Sequence, residues 1–158
     1  MRRSLVHFVE LSREELDGAR ALIACVELES VRLSRFKFVS DLEARPTPNG
    51  EVELSSSSRS EPILGADKLR INFDLGLKGH QENALIIDMS ARIEAIYSVP
   101  KEHGFTLEQC KSFAKSNGML NVWPFWREYA QAATIRAGLA PLTLPLFRVI
   151  HKPMKPRR

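Results

Sequence analysis

MLNVWPFWREYAQAATIRAGLAPLTLPLFRV, residues 119–149, holds the junction on which the fold turns. From about 121 to 137 it reads as a helix, because Pro124 then falls in the first turn, where a missing N–H costs no hydrogen bond. Gly138 ends that helix, and PLTLPLFRVI is extended beyond it, since Pro141 and Pro145 forbid a helix interior. Trp123, Phe125, Trp126 and Tyr129 put apolar side chains on more than one helical face. One face meets the core and the other another surface.

Upstream, Thr106 and Gln109 form a capping box, and Leu107, Cys110, Phe113 and Ala114 make an apolar stripe that Asn117 and Gly118 terminate. Residues 84–99 read as a long strand with a phase slip between Ile86, Ile87 and Ile93, reached through a turn at KGHQEN. Residues 68–77 alternate Leu69, Ile71, Phe73, Leu75 and Leu77 against polar neighbours, the pattern of a half-buried strand. Before them, SSSSRSEP is expected to be a flexible polar loop, with Val52 and Leu54 in a short strand and RPTPNG, residues 45–50, breaking regular structure. Val31 and Leu33, then Phe36 and Phe38 one position out of phase, predict a strand with a bulge. Ser12 and Glu15 cap a helix from about 13 to 29, with Leu16, Ala19, Leu22, Ile23 and Val26 at helical spacing. Helix, strands, helix, helix and tail describe one α+β domain over residues 1–158, with an antiparallel sheet.

Composition narrows the function classes. With 44% hydrophobic and 27% charged residues the chain is an ordinary globular one. Its net charge of +4 gathers at the ends, in Arg2, Arg3, Lys152, Lys155, Arg157 and Arg158, with no groove-reading motif or aromatic–basic stripe. Nucleic-acid binding is therefore not expected. Cys25 and Cys110 lack zinc or redox spacing, and a reducing cytoplasm suits them. His7 and Glu10 interrupt the apolar N-terminal stretch, so neither an export signal nor membrane insertion is expected. No glycine stands in a phosphate-cradling loop, and His7, His80, His103 and His151 are unpaired at ligand spacing. Ser90 and Cys110 have no nucleophile context, and Asp74 and Asp88 read as surface carboxylates of a sheet. No catalytic residue, cofactor or metal is implied, and an enzyme is not expected.

Trp123, Pro124, Phe125, Arg127, Glu128, Arg136, Ala137, Pro141, Leu142 and Leu144 together resemble the C-terminal signature of the SecB family of chaperones. IIDMSARIEAIYSV, ending in Tyr97, Ser98 and Val99, is similar to that family's long strand. The resemblance covers about residues 31–149, leaving 1–30 as an N-terminal helical extension and 150–158 as a basic tail. It implies a four-stranded antiparallel sheet flanked by helices, an extended C-terminal segment, and a homotetramer built as a dimer of dimers. It implies an ATP-independent holdase that binds unfolded polypeptide in apolar grooves. Candidate groove residues are Val52, Leu54, Ile87, Cys110, Phe113, Trp123, Trp126, Leu142 and Leu144, and core packing is the competing role for each.

Export members of the family are acidic and dock on SecA through sheet carboxylates. Here the chain is basic, and one such carboxylate falls at Ser90, with Asp88 two positions earlier on the same face. The helix of residues 13–29, the TLEQ helix start and the Trp-Pro-Phe-x-Arg-Glu-Tyr run look closer to the branch that serves toxin–antitoxin–chaperone systems. A dedicated client such as an antitoxin is the resulting expectation. General export chaperoning with delivery to SecA, and a non-chaperone scaffold with this fold, are the alternatives.

Overall fold

The computed structural model describes residues 7–41, 43 and 51–152. RPTPNG, Arg2, Arg3 and the cations at 155, 157 and 158 lie outside the described residues. The order is β1 (Phe8–Leu11), α1 (Arg13–Ile23), β2 (Glu27–Ser40), β3 (Glu53–Leu64), β4 (Lys68–Gln81), β5 (Ala84–Ser98), α2 (Leu107–Phe113), a π-helical turn (Ala114–Gly118), α3 (Met119–Arg136) and β6 (Arg148–His151). Four strands form an antiparallel sheet in the order β2-β5-β4-β3, while β1 and β6 pair in parallel as a separate ribbon. The expected α+β class and four-stranded antiparallel sheet are present.

The sheet follows from its alternation. Leu69, Ile71, Phe73, Leu75 and Leu77 of β4 and Ile87, Met89, Ala91, Ile93, Ala95 and Tyr97 of β5 are buried on one face, called inner here. The phase slip read in the sequence is a bulge at Ile86, where β4 partners jump from Gly79↔Ile87 to His80↔Leu85. In β2 the register shifts between Leu33 and Arg35, and the extra residue Ser34 donates its hydroxyl to the Arg92 carbonyl at 3.1 Å. The β4–β5 turn is only Glu82 and Asn83, with Glu82 at φ 55, so most of KGHQEN is strand.

Three expectations are overturned. SSSSRSEP is strand β3, not a loop: β4 is buried and its backbone groups need partners, and serines complete that ladder as well as apolar residues do. Pro62 is tolerated because β3 is an edge strand. Helix α1 stops at Ile23 rather than 29, because Glu27 onward pairs with β5. Its Ser12–Glu15 capping box is formed, with bonds of 3.2 and 2.8 Å.

The third concerns Asn117 and Gly118. They do not end a helix; the chain passes through them as a π turn straight into α3, and Gly118 keeps helical angles of φ −58 and ψ −47. Gly118 is there for proximity. A Cβ would lie 3.0 Å from Phe73 Cζ and 3.4 Å from Ile71 Cδ1, so the glycine lets the helix lie directly on the sheet. Pro124 consequently sits inside α3, not at its start, on an exposed face where water can serve the carbonyl it leaves unpaired. The core lies between the inner face and the α2–α3 rod, and includes Trp123, Trp126, Phe113 and Leu144.

Candidate functional site

Helix α3 ends as the sequence predicts. Gly138, at φ 71, donates to the Ile135 carbonyl at 3.0 Å and Leu139 to that of Thr134 at 2.9 Å, a Schellman arrangement. The extended segment then doubles back along α3, held by three side chains of that helix. Thr134 Oγ1 accepts from the Leu142 N–H at 3.1 Å, Arg127 Nε donates to the Leu144 carbonyl at 2.8 Å, and Trp123 Nε1 donates to the Pro145 carbonyl at 2.8 Å. Among the described residues, 140–147 make no backbone-to-backbone hydrogen bond. Strand β6 resumes pairing, with Arg148 N–H donating to the His7 carbonyl at 2.9 Å.

The nine candidate groove residues fall into three groups. Val52, Leu54 and Ile87 meet around Gly79, where a Cβ would lie 3.3 Å from Val52 Cγ1, 3.1 Å from Leu54 Cδ2 and 3.6 Å from Ile87 Cβ. Val52 is 36% exposed, Leu54 half-buried and Ile87 buried. Trp123, Leu142 and Leu144 form the second group where the extended segment lies on α3; Trp123 and Leu144 are buried and Leu142 half-buried. Cys110, Phe113 and Trp126 lie deeper, none more than 2% exposed, with Phe113 edge-on to Tyr97 at 5.1 Å. Burial pushes the Cys110 thiol above its usual pKa, so it is held protonated and unreactive.

His7 joins the first two groups. Its ring lies 4.5 Å from that of Trp123, and its Nδ1 is 3.4 Å from Ser56 Oγ, on the same inner face of β3 as Leu54. Its Nε2 is buried with no hydrogen-bond partner among the described residues, and desolvation lowers its pKa, favouring the neutral ring.

Sequence reasoning missed a further apolar surface. Leu28, Leu33 and Phe36 of β2 pair with Tyr97, Ile93 and Ala91 and so face inward, yet they are 45%, 41% and 37% exposed, because the helical layer does not reach across this edge. Phe125, Leu120 and Ile135 of α3 are exposed as well, and Phe36 approaches Tyr129 with ring centroids 5.8 Å apart. The available signal was the broken alternation of β2, which shows which residues share a face but not whether that face is covered.

The outer face of the sheet is polar. Asp74 takes Arg92 in a two-bond ion pair at 2.7 and 2.8 Å, with Arg35 at 3.9 Å, and these guanidinium groups hold its carboxyl below the usual range. Among the described residues no group of three or more His, Cys, Asp or Glu side chains is placed to hold a metal, and no helix is long and apolar enough to cross a membrane.

No protein-family model and no curated protein matches the sequence. Among solved structures, the SecB-like chaperone of Mycobacterium tuberculosis, in complex with a ChAD peptide from the HigA1 antitoxin, superposes with a TM-score of 0.76 at 18% identity. The match covers 84% of this chain and 98% of that one. A protein of unknown function from Streptococcus agalactiae matches at a TM-score of 0.43 and 13% identity, over 77% of this chain and 97% of that one, too distant a likeness to carry an argument.

Proposed function

From a chain with the SecB-like fold, we propose an ATP-independent holdase that binds extended, non-native polypeptide, with an antitoxin of a toxin–antitoxin–chaperone system as its dedicated client. The observation that carries this reading is segment 140–147. It lies over α3 fastened by side chains and without backbone pairing, against Trp123, where a client strand can lie alongside it. Val52, Leu54 and Leu142 form the accessible rim of the groove and Ile87, Trp123 and Leu144 its walls, with Cys110, Phe113 and Trp126 packed in the core beneath. A strand docking there adds to the segment without breaking a sheet ladder. Each client side chain of leucine size buried there contributes about 1.5–3 kcal/mol, less the cost of ordering the client. Affinity per groove is modest, and several grooves on one assembly raise it.

The uncovered inner edge of β2 and the exposed face of α3 support self-association. A second copy covering Leu28, Leu33, Phe36 and Phe125 is the first step toward the homotetramer, since a 14-residue free edge strand with exposed apolar side chains otherwise invites aggregation. The test is titration of a fluorescent apolar peptide without nucleotide, with mass measured by light scattering. Val52→Asp and Leu142→Asp weaken the peptide while the mass is unchanged, and Leu33→Asp with Phe36→Asp lowers the mass. Unchanged peptide binding in both groove variants overturns the groove assignment.

A second reading is favoured by the burial of Cys110, Phe113 and Trp126: a scaffold whose groove has closed, which leaves peptide unbound in the wild type. General export chaperoning with delivery to SecA is less well supported, because the cations Arg35, Lys37, Lys78 and Arg92 outnumber the carboxylates Asp74 and Asp88 around Ser90 on the outer face.

A further inference from the structure

The strand register sorts the outer face of the sheet into rows. Ser57, Gly76, Ser90 and Lys37 stand side by side across β3, β4, β5 and β2. On one side runs Arg59, Asp74, Arg92 and Arg35; on the other, Ser55, Lys78, Asp88 and Val39. The middle row is low from β3 to β5, where its members are small, and Lys37 closes it at β2. Gly76 has no side chain, and Ser57 folds over it so closely that a Cβ there would be 2.5 Å from Ser57 Oγ. Two depressions, of about 310 and 320 Å³, open on either side of this row and share Ser57, Gly76 and Ser90. Together they form one trench crossing the strands, floored by hydroxyls and walled by charge.

We propose that this trench docks a short acidic segment of another polypeptide. Alternate residues on one face of a strand are about 6.5–7 Å apart, so the charged rows stand roughly 13 Å from each other, wide enough for one extended chain. Neighbouring strands are about 4.8 Å apart, so the trench from β3 to β5 is roughly 10 Å long, the reach of about three extended residues.

The charges select the occupant. Arg35, Lys37, Arg59, Lys78 and Arg92 face Asp74 and Asp88, an excess of three positive charges around a site three residues long. Both oxygens of Asp74 are turned to Arg92, which leaves Arg35 at 3.9 Å and Arg59 with no ion pair among the described residues. Exposed guanidinium forks flanking a row of hydroxyls fit carboxylates. A nucleic acid fits poorly. Phe36, Phe38, Phe73 and Tyr97 all register on the inner face, so the trench lacks a stacking platform, and Asp74 and Asp88 interrupt the basic wall that a continuous phosphate chain requires. The site is on the opposite face from the apolar groove and does not rest on the function proposed above.

The test uses the full chain and three labelled probes: a Glu-rich hexapeptide, its Lys-rich counterpart and a single-stranded oligonucleotide. The acidic peptide binds, the basic one does not, and raising salt from about 50 to 500 mM weakens binding at least fivefold. Arg35→Glu with Arg59→Glu, both exposed, weakens the acidic peptide at least tenfold. Ser90→Leu, which fills the trench without changing charge, does the same, with circular dichroism and mass unchanged in each variant. No binding of the acidic peptide at about 1 mM overturns the proposal. So does equal affinity in the charge-reversed variant, an undiminished affinity in Ser90→Leu, or preference for the oligonucleotide.

Discussion

Thr134→Val loosens the extended segment at Leu142 with little other change. Thr134 is fully buried; its hydroxyl donates to the Ala130 carbonyl at 3.0 Å and accepts from the Leu142 N–H at 3.1 Å. Valine has nearly the same shape and a similar helix propensity, so neither a cavity nor helix stability enters the comparison. What is lost is the hydroxyl, with the bond it donates to a helix carbonyl and the one it accepts, and the half-buried Leu142 N–H is left without its partner. Such a loss costs about 1–2 kcal/mol. For a chain of this size that is a drop of roughly 2–8 °C in Tm. The local effect is more specific. Hydrogen exchange at the Leu142 amide accelerates by a factor of roughly 5–30, the population change that 1–2 kcal/mol represents. Thr134→Ser keeps the hydroxyl and retains most of the protection. If Leu142 exchanges at the wild-type rate in Thr134→Val, the segment is held by something else and the reasoning fails.

Trp126→Ala removes a side chain that is 1% exposed and costs about 3–5 kcal/mol, read as a large fall in urea midpoint; unchanged stability would place Trp126 outside the core. A thiol reagent labels exposed Cys25 in the native protein and reaches buried Cys110 only on unfolding, so rapid labelling of both thiols would contradict the packing of α2. Acid weakens two ion pairs. Lys115 holds the Glu15 carboxyl below its usual 4.5, and Arg92 holds that of Asp74 below its usual 3.8. A depressed folded-state pKa contributes stability above the unfolded value and loses it as pH falls through the folded one. Stability therefore declines from about pH 4.5 downward, and Glu15→Gln with Asp74→Asn flattens that part of the profile; an unchanged slope refutes the assignment.

The parts of the fold legible in the sequence are those where one local pattern had one tertiary answer. Leu69 to Leu77 alternate cleanly because β4 has a wet face and a dry face and neighbours on both sides. The Ser12 and Thr106 capping boxes and the Gly138 terminus are set by nearby backbone, and all three form. Ser55–Ser58 were misread because their strand is induced by the unpaired side of β4, a demand that no serine records. Gly118 was misread because the same residue type serves a helix end and a close helix–sheet contact, and only Phe73, 45 positions away in sequence, distinguishes them.

The candidate groove was legible as a set of apolar residues and not as a surface. Val52 and Trp126 carry the same kind of signal, yet one is exposed and the other in the core, since burial depends on what crosses above. Leu28, Leu33 and Phe36 show the reverse: core-like alternation on a strand that the helices leave uncovered. The trench was invisible for a related reason. Arg59, Asp74 and Arg92 become neighbours only through the register of three strands.

The central claim is that the chain holds unfolded polypeptide in an apolar groove without nucleotide. Light scattering of an unfolded test protein, followed with and without the chain and with Leu142→Asp as the comparison, tests it most directly. The account predicts suppression of aggregation by the wild type in the absence of ATP and a marked loss of suppression in Leu142→Asp, with its fold retained. Aggregation that proceeds equally with the wild type present would contradict it.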